Sequence, residues 1–102
     1  MSPARLNIRF NIGGGGFIDT HEEPNFMPIP RVGETFRWQE NATSGQTVIL
    51  AEVTKVTTNL LKNANGDGSF DAKIEVYVDV DGTIVQGTTD ALRPCSDEDW
   101  PI

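Results

Sequence analysis

The sequence predicts an all-β fold: a single small barrel or roll of about five strands, with one long bulged strand and little or no helix. Three observations predict it. Phe70, Ala72, Ile74, Val76, Val78 and Val80 alternate with Asp71, Lys73, Glu75, Tyr77 and Asp79, the period of two expected of a strand with one face in the core and one in solvent. Leu6, Ile8, Phe10 and Ile12 alternate in the same way with Asn7, Arg9 and Asn11. No segment carries a 3.6-residue apolar period; "DALR" and "SDEDW" offer a single helical turn each.

The elements follow in order. Residues 6–12 form the first strand. Residues 13–33, a run of four glycines followed by "FIDTHEEPNFMPIPRVG", read as a glycine-rich turn and a long irregular connection. "ETFRW" is a second strand, entered through a bend at Val32-Gly33, and "QENATSGQ" is a polar loop. In "TVILAEVTKVTTNLL", residues 47–61, β-branched residues dominate. Val48 and Leu50 share one face while Val53 falls on the other, so a bulge or strong bend is expected near Ala51. Strand 70–80 follows, then an Asp81-Gly82 hairpin turn and a short strand at 83–86. Residues 88–102 form an acidic C-terminal tail in which Trp100 and Ile102 either cap the core or dock into a partner.

The entry "PRVGETF" followed by long strands resembles the opening of SH3-like barrels. The resemblance covers about ten residues and concerns the fold alone. A chain of 102 residues, 37% apolar and 23% charged, suits one domain, 1–102, with a modest core. No apolar run reaches the ~20 residues of a membrane span, and the N-terminus alternates rather than forming a signal-like apolar block. A cytoplasmic protein, bacterial or phage in origin, is expected.

Motifs with chemistry are few. The glycine run lacks the lysine and Ser/Thr of a phosphate loop. Asp19, His21, Glu22 and Glu23 hold only one histidine and lack the helix that sets ligand spacing, so they read as a solvated loop. Cys95 has no partner cysteine, and Asp97, Glu98 and Asp99 disfavour its thiolate. "NANGDGSFDAKIE", residues 63–75, approaches a calcium loop. With Gly68 at the sixth position, Asn63, Asn65, Asp67, Ser69 and Asp71 fall on ligand positions, but the twelfth is Ile74 instead of glutamate. A hairpin tip is the preferred reading, with Asn65, Asp67 and Asp71 the residues of a weak calcium site. No cofactor is expected.

Charge is the most informative property. Residues 1–62 carry six basic and six acidic side chains; residues 63–102 carry two basic and nine acidic, so the whole net charge of −7 lies there. Direct nucleic-acid binding is disfavoured by such a surface. Catalysis is not expected either, since the sole histidine lies in the predicted loop. The expected function is a small acidic protein-interaction module, an inhibitor occupying a basic, nucleic-acid-type site on a protein partner. Asp71, Glu75, Tyr77, Asp79 and Asp81 on one strand, with Asp97, Glu98, Asp99 and Trp100 in the tail, are its partner-binding residues. Alternate strand positions stand ~6.8 Å apart, and Tyr77 would be the aromatic anchor. The alternative is a structural module that forms a homo-oligomer or part of a larger complex or virion.

Overall fold

The computed structural model describes residues 3–22 and 28–100, and they are mostly strand. Strands β1 (Pro3–Ile12), β2 (Gly15–Glu22), β3 (Thr35–Ala42), β4 (Gly45–Ala64), β5 (Phe70–Gln86) and β6 (Arg93–Pro94) form one sheet in the order β3-β4-β5-β1-β2-β6. All neighbours are antiparallel except β1 and β5. The sheet is open. Instead of the expected barrel closure, β3 and β6 are its edges, and side chains alone bring the two halves together.

The alternation read from the sequence builds one apolar face. Leu6, Ile8 and Phe10 of β1, Ile49, Ala51 and Val53 of β4, and Val76, Val78 and Val80 of β5 are buried in a single cluster. β3 curls over it: the rings of Phe36 and Trp38 meet Phe10 edge-on at 6.4 and 5.8 Å. Trp38 Nε1 then donates to Asp19 of β2 at 2.9 Å, a side-chain bridge between strands at opposite ends of the sheet.

The bulge expected near Ala51 is present as two register shifts, between Val48 and Ile49 and between Val53 and Lys55. They change which residues face inward. Ile49, Ala51 and Val53 share the core face, and past the second shift Val56 joins it; Val48 and Leu50 lie together on the opposite face, as their spacing predicts, Val48 buried and Leu50 exposed.

Three further expectations are corrected. Residues 13–33 are not one irregular loop, because β2 occupies 15–22. Gly13-Gly14 is its two-residue hairpin turn, with φ of 56° and 84°, the positive values a tight hairpin needs. "QENA" belongs to β3 instead of a loop, and the turn is confined to Thr43-Ser44. Asp81-Gly82 is not a turn, for β5 runs unbroken through it. A Cβ at Gly82 would lie 2.9 Å from Ile12 Cγ1 and 3.2 Å from Ile49 Cγ2, so the glycine serves close packing of three strands.

The C-terminal part is not a free tail. Leu92 enters the core, Arg93-Pro94 pair with Phe17-Ile18 at the β2 edge, and the Cys95 amide donates to the Gly16 carbonyl at 2.8 Å. Beyond that edge, Cys95 and Trp100 pack with Tyr77 and Ile18 on the opposite face of the sheet. The segment therefore clamps both faces.

β4 and β5 outrun their neighbours. β3 covers β4 only up to Glu52, and hydrogen bonds from Gly33 and to Glu34 extend this to Val53. β1 meets β5 only from Ile74 onward. The rest of the hairpin projects as an arm, and the long axis of the molecule reaches 52 Å against 27 and 24 Å. No helix among the described residues is long and apolar enough to cross a membrane.

Candidate functional site

Two surfaces carry the residues of interest: the face of β5 opposite the core, and the arm. On the first, strand parity holds, and Asp71, Lys73, Glu75, Tyr77, Asp79 and Asp81 do point away from the core. The expectation of a continuous acidic row in solvent is nevertheless corrected. Residues 95–100 lie over its centre, so Tyr77 and Asp79 are buried, as is Trp100. Asp71 and Lys73 at one end of the row and Asp81 at the other are exposed; Glu75 is half-buried.

Arg9 organises this covered patch. Its Nε donates to Asp79 Oδ1 at 2.7 Å and its Nη1 to Asp97 Oδ1 at 3.0 Å. Its guanidinium lies 5.0 Å from the Trp100 ring centroid. Trp100 in turn meets Tyr77 edge-on at 5.0 Å and 88°. A guanidinium suits this place because its planar fork serves two carboxylates while its face stacks on an indole. Asp97, Glu98 and Asp99 form a 3-10 turn in which Ser96 Oγ donates to Asp99 Oδ2 at 2.9 Å; the carboxylate of Asp97 reaches Arg9 although its side chain is fully exposed. Glu98 is exposed, with no role in the clamp among the described residues. Burial pushes the Cys95 thiol up first, Arg9 opposes, and Asp99, Asp97 and Asp79 add to the rise.

Tyr77 is the only tyrosine of the chain. Burial, then the hydrogen bond it donates to Glu75 and that carboxylate's charge, push it from 10.0 up to about 12, with Arg5 opposing. Between those two values the folded protein keeps a proton that the unfolded chain releases. The stabilisation is complete below about pH 10 and is lost as pH rises through about 12. An absorbance titration of tyrosinate should have its midpoint near 12 in buffer and near 10 in denaturant. Tyr77→Phe should flatten the alkaline decline in stability by roughly 2–3 kcal/mol. A native midpoint near 10 would contradict the burial of the ring.

The hairpin tip is self-contained. The Asn65 amide donates to the Ser69 carbonyl at 2.8 Å, and Asp67 Oδ1 accepts from both the amide and the hydroxyl of Ser69. These bonds hold the Asp67 carboxyl below its usual range. Gly68 supplies the positive φ, 88°. Asn65 and Asp67 are thus turned toward Ser69, while Asp71 lies on β5 opposite Asn63. Among the described residues no three His, Cys, Asp or Glu side chains are grouped as a metal site.

The expected loop cluster resolves differently. His21 lies on β2, not in a loop, and its Nε2 bonds Asp19 Oδ2 at 2.7 Å. That same oxygen accepts from Trp38. Glu22 pairs with Arg5 at 2.8 Å, a surface contact of small energetic weight; Glu23 lies outside the described residues. Asp19 therefore ties β2 to β3 on the core side, a role the sequence conceals because Asp19 and His21 look like loop polarity.

No motif in the sequence marks the arm. After the second bulge, Val56, Thr58, Leu60 and Lys62 of β4 lie opposite Val78, Val76, Ile74 and Ala72 of β5, so the arm continues the core face outward. Its apolar residues lack cover: Leu60 is 59% exposed and Phe70 58%. Lys62 Nζ sits 3.9 Å from the Phe70 centroid. From residue 54 to 64, the outer edge of β4 has no strand beside it among the described residues. Fold and surfaces together define one open β-sheet, clamped by residues 92–100, with a projecting two-stranded arm. Comparison with protein-family models, curated protein sequences and solved structures gave no match.

Proposed function

We propose that the chain is a non-enzymatic protein-interaction module of the assembly type, and that the arm is its docking surface. The observation that carries this reading is the conjunction, on one projecting ribbon, of an uncovered apolar stripe and an unpaired strand edge. Leu60 and Phe70 prolong a core face into solvent, and such apolar surface marks sites where another protein is covered or captured. The free edge of β4 supplies main-chain donors and acceptors for strand addition.

Leu60→Glu with Phe70→Glu tests it. Both side chains are more than half exposed, so the urea midpoint should change by no more than about 0.5 kcal/mol equivalent. Association, read as mass by light scattering or as retention of a binding partner, should be abolished. A variant that keeps every association of the parent protein would overturn the reading.

A second reading is supported by the exposed turn Asp97–Asp99 together with Asp71 and Asp81: these carboxylates would occupy a basic site on a partner protein. Salt separates the two, because contacts through the apolar arm persist at high ionic strength and exposed carboxylate contacts are screened away.

A further inference from the structure

We propose that the arm's occupant is a second copy of this chain, joined to it by antiparallel pairing of the two β4 edges about a two-fold axis at Asn59. The inference rests on the reading of the arm as a docking surface and adds its partner and register. The open stretch, 54–64, is bounded at one end by the bonds that Val53 makes with Gly33 and Glu34 and at the other by the Asn65–Ser69 loop. Pairing the stretch with itself, residue 54 opposite 64 and 59 opposite 59, uses all of it and leaves β3 in place. Any smaller index sum drives the partner's hairpin tip into β3.

That register also satisfies the side chains. Facing residues keep the same parity, so core face meets core face. Leu60 falls opposite Thr58 of the second copy and diagonal to both its Val56 and its Leu60, within reach of long side chains. Each Leu60 belongs to a row with Ile74, and each Val56 to a row with Val78 and Ile8, so the two cores become one continuous face.

Charge agrees. The edge carries Lys55 and Lys62 and no carboxylate, although the chain has a net charge of −7. The two lysines lie on opposite faces and never oppose each other: Lys62 meets Val56, and Lys55 meets Asn63. Beyond Asn63 in that row stands Asp71, about 10 Å away across two strand spacings, a distance a lysine side chain spans. The pairing thus forms two symmetric Lys55–Asp71 contacts and no like-charge pair. Closed two-fold symmetry leaves neither β4 edge open.

Cysteine scanning in a Cys95→Ser background reads the register directly. Asn59→Cys places two Cβ atoms about 5 Å apart across the axis, near enough for a disulfide with a small adjustment. Mild oxidation should convert it to a covalent dimer of twice 11.2 kDa. Thr57→Cys and Leu61→Cys should each form no disulfide-linked dimer alone under oxidation yet link when mixed, because 57 faces 61. Light scattering of the unmodified chain should show mass rising toward the dimer with concentration. A monomer at every concentration, or links at another register, overturns the proposal. If a foreign partner were then lost on Leu60→Glu with Phe70→Glu, the arm would still be a docking surface and only self-pairing would have failed; if nothing were lost, both readings would fail.

Discussion

Gly16→Ala is expected to unseat the C-terminal clamp and to lower the unfolding free energy by about 3 kcal/mol, at the upper end of overpacking effects. The position is extended, so backbone conformation is not the obstacle. A Cβ there would lie 2.4 Å from the Cys95 carbonyl oxygen, a backbone atom that cannot rotate away. Relief requires lifting residues 93–95 from β2, which breaks the bond from the Cys95 amide to Gly16 and loosens the packing of Cys95 and Trp100 on Tyr77. Cys95 reports this directly. It is the only cysteine, it is buried, and its thiol is held up by that burial. Its reaction with a disulfide reagent must await local opening, and the variant should react on the order of 100-fold faster, the factor that ~3 kcal/mol implies. Gly66→Ala is the control: nothing lies within 4 Å of its Cβ position, so neither stability nor thiol rate should move. An unchanged thiol rate in Gly16→Ala would mean the segment is not held by that contact.

Arg9→Leu should be about as costly, also near 3 kcal/mol at neutral pH. The guanidinium and the Asp79 carboxylate are 16% and 12% exposed, and removing the cation leaves the anion desolvated without a partner. The indole of Trp100 loses the cation over its face as well. Adding Asp79→Leu should restore at least half of the loss, since apolar side chains replace a buried pair at little net cost. Chemical denaturation of the single and double variants closes the cycle. Strictly additive losses would show that the two residues act independently and would remove Arg9 from the centre of the patch.

The strands that carry most of the core were readable in the sequence because each is apolar on one face only. Over 6–12 and 70–80 β1 and β5 alternate without interruption, and the bulge in β4 lies after Val53, where the core face passes from Val53 to Val56. β2 was hidden because two of its core-side positions, Asp19 and His21, are polar; their hydrogen bonds to each other and to Trp38 make that tolerable. The Asp81-Gly82 pair is a strong local turn signal that tertiary packing of Ile12 and Ile49 overrides.

The candidate site was half legible for a similar reason. Parity placed Tyr77 and Asp79 on the outer face of β5, but a single strand's pattern does not reveal what another segment lays upon it. Trp100 and Arg9 supply that second layer. The arm, likewise, arises from a difference in strand lengths: β4 runs 20 residues against 8 for β3. No residue in 54–64 announces by itself that its neighbour stops short.

The place of β1 has a consequence for how the chain reaches its native state. β1, made well before β5, is an interior strand, seated between β2 and β5 and parallel to β5. The β1–β2 hairpin and the β3–β4–β5 meander can each form from neighbouring sequence, but the seam joining them unites residues such as Arg9 and Asp79, 70 positions apart. Closing so long a loop is paid before its contacts give any return, so the seam sets the pace of folding, in the slow range typical of non-local β pairing. Until it closes, Leu6, Ile8 and Phe10 on one half and Val76, Val78 and Val80 on the other face water. A nascent chain stalled before residue 70 would hold the β1–β2 and β3–β4 hairpins without the strand that joins them.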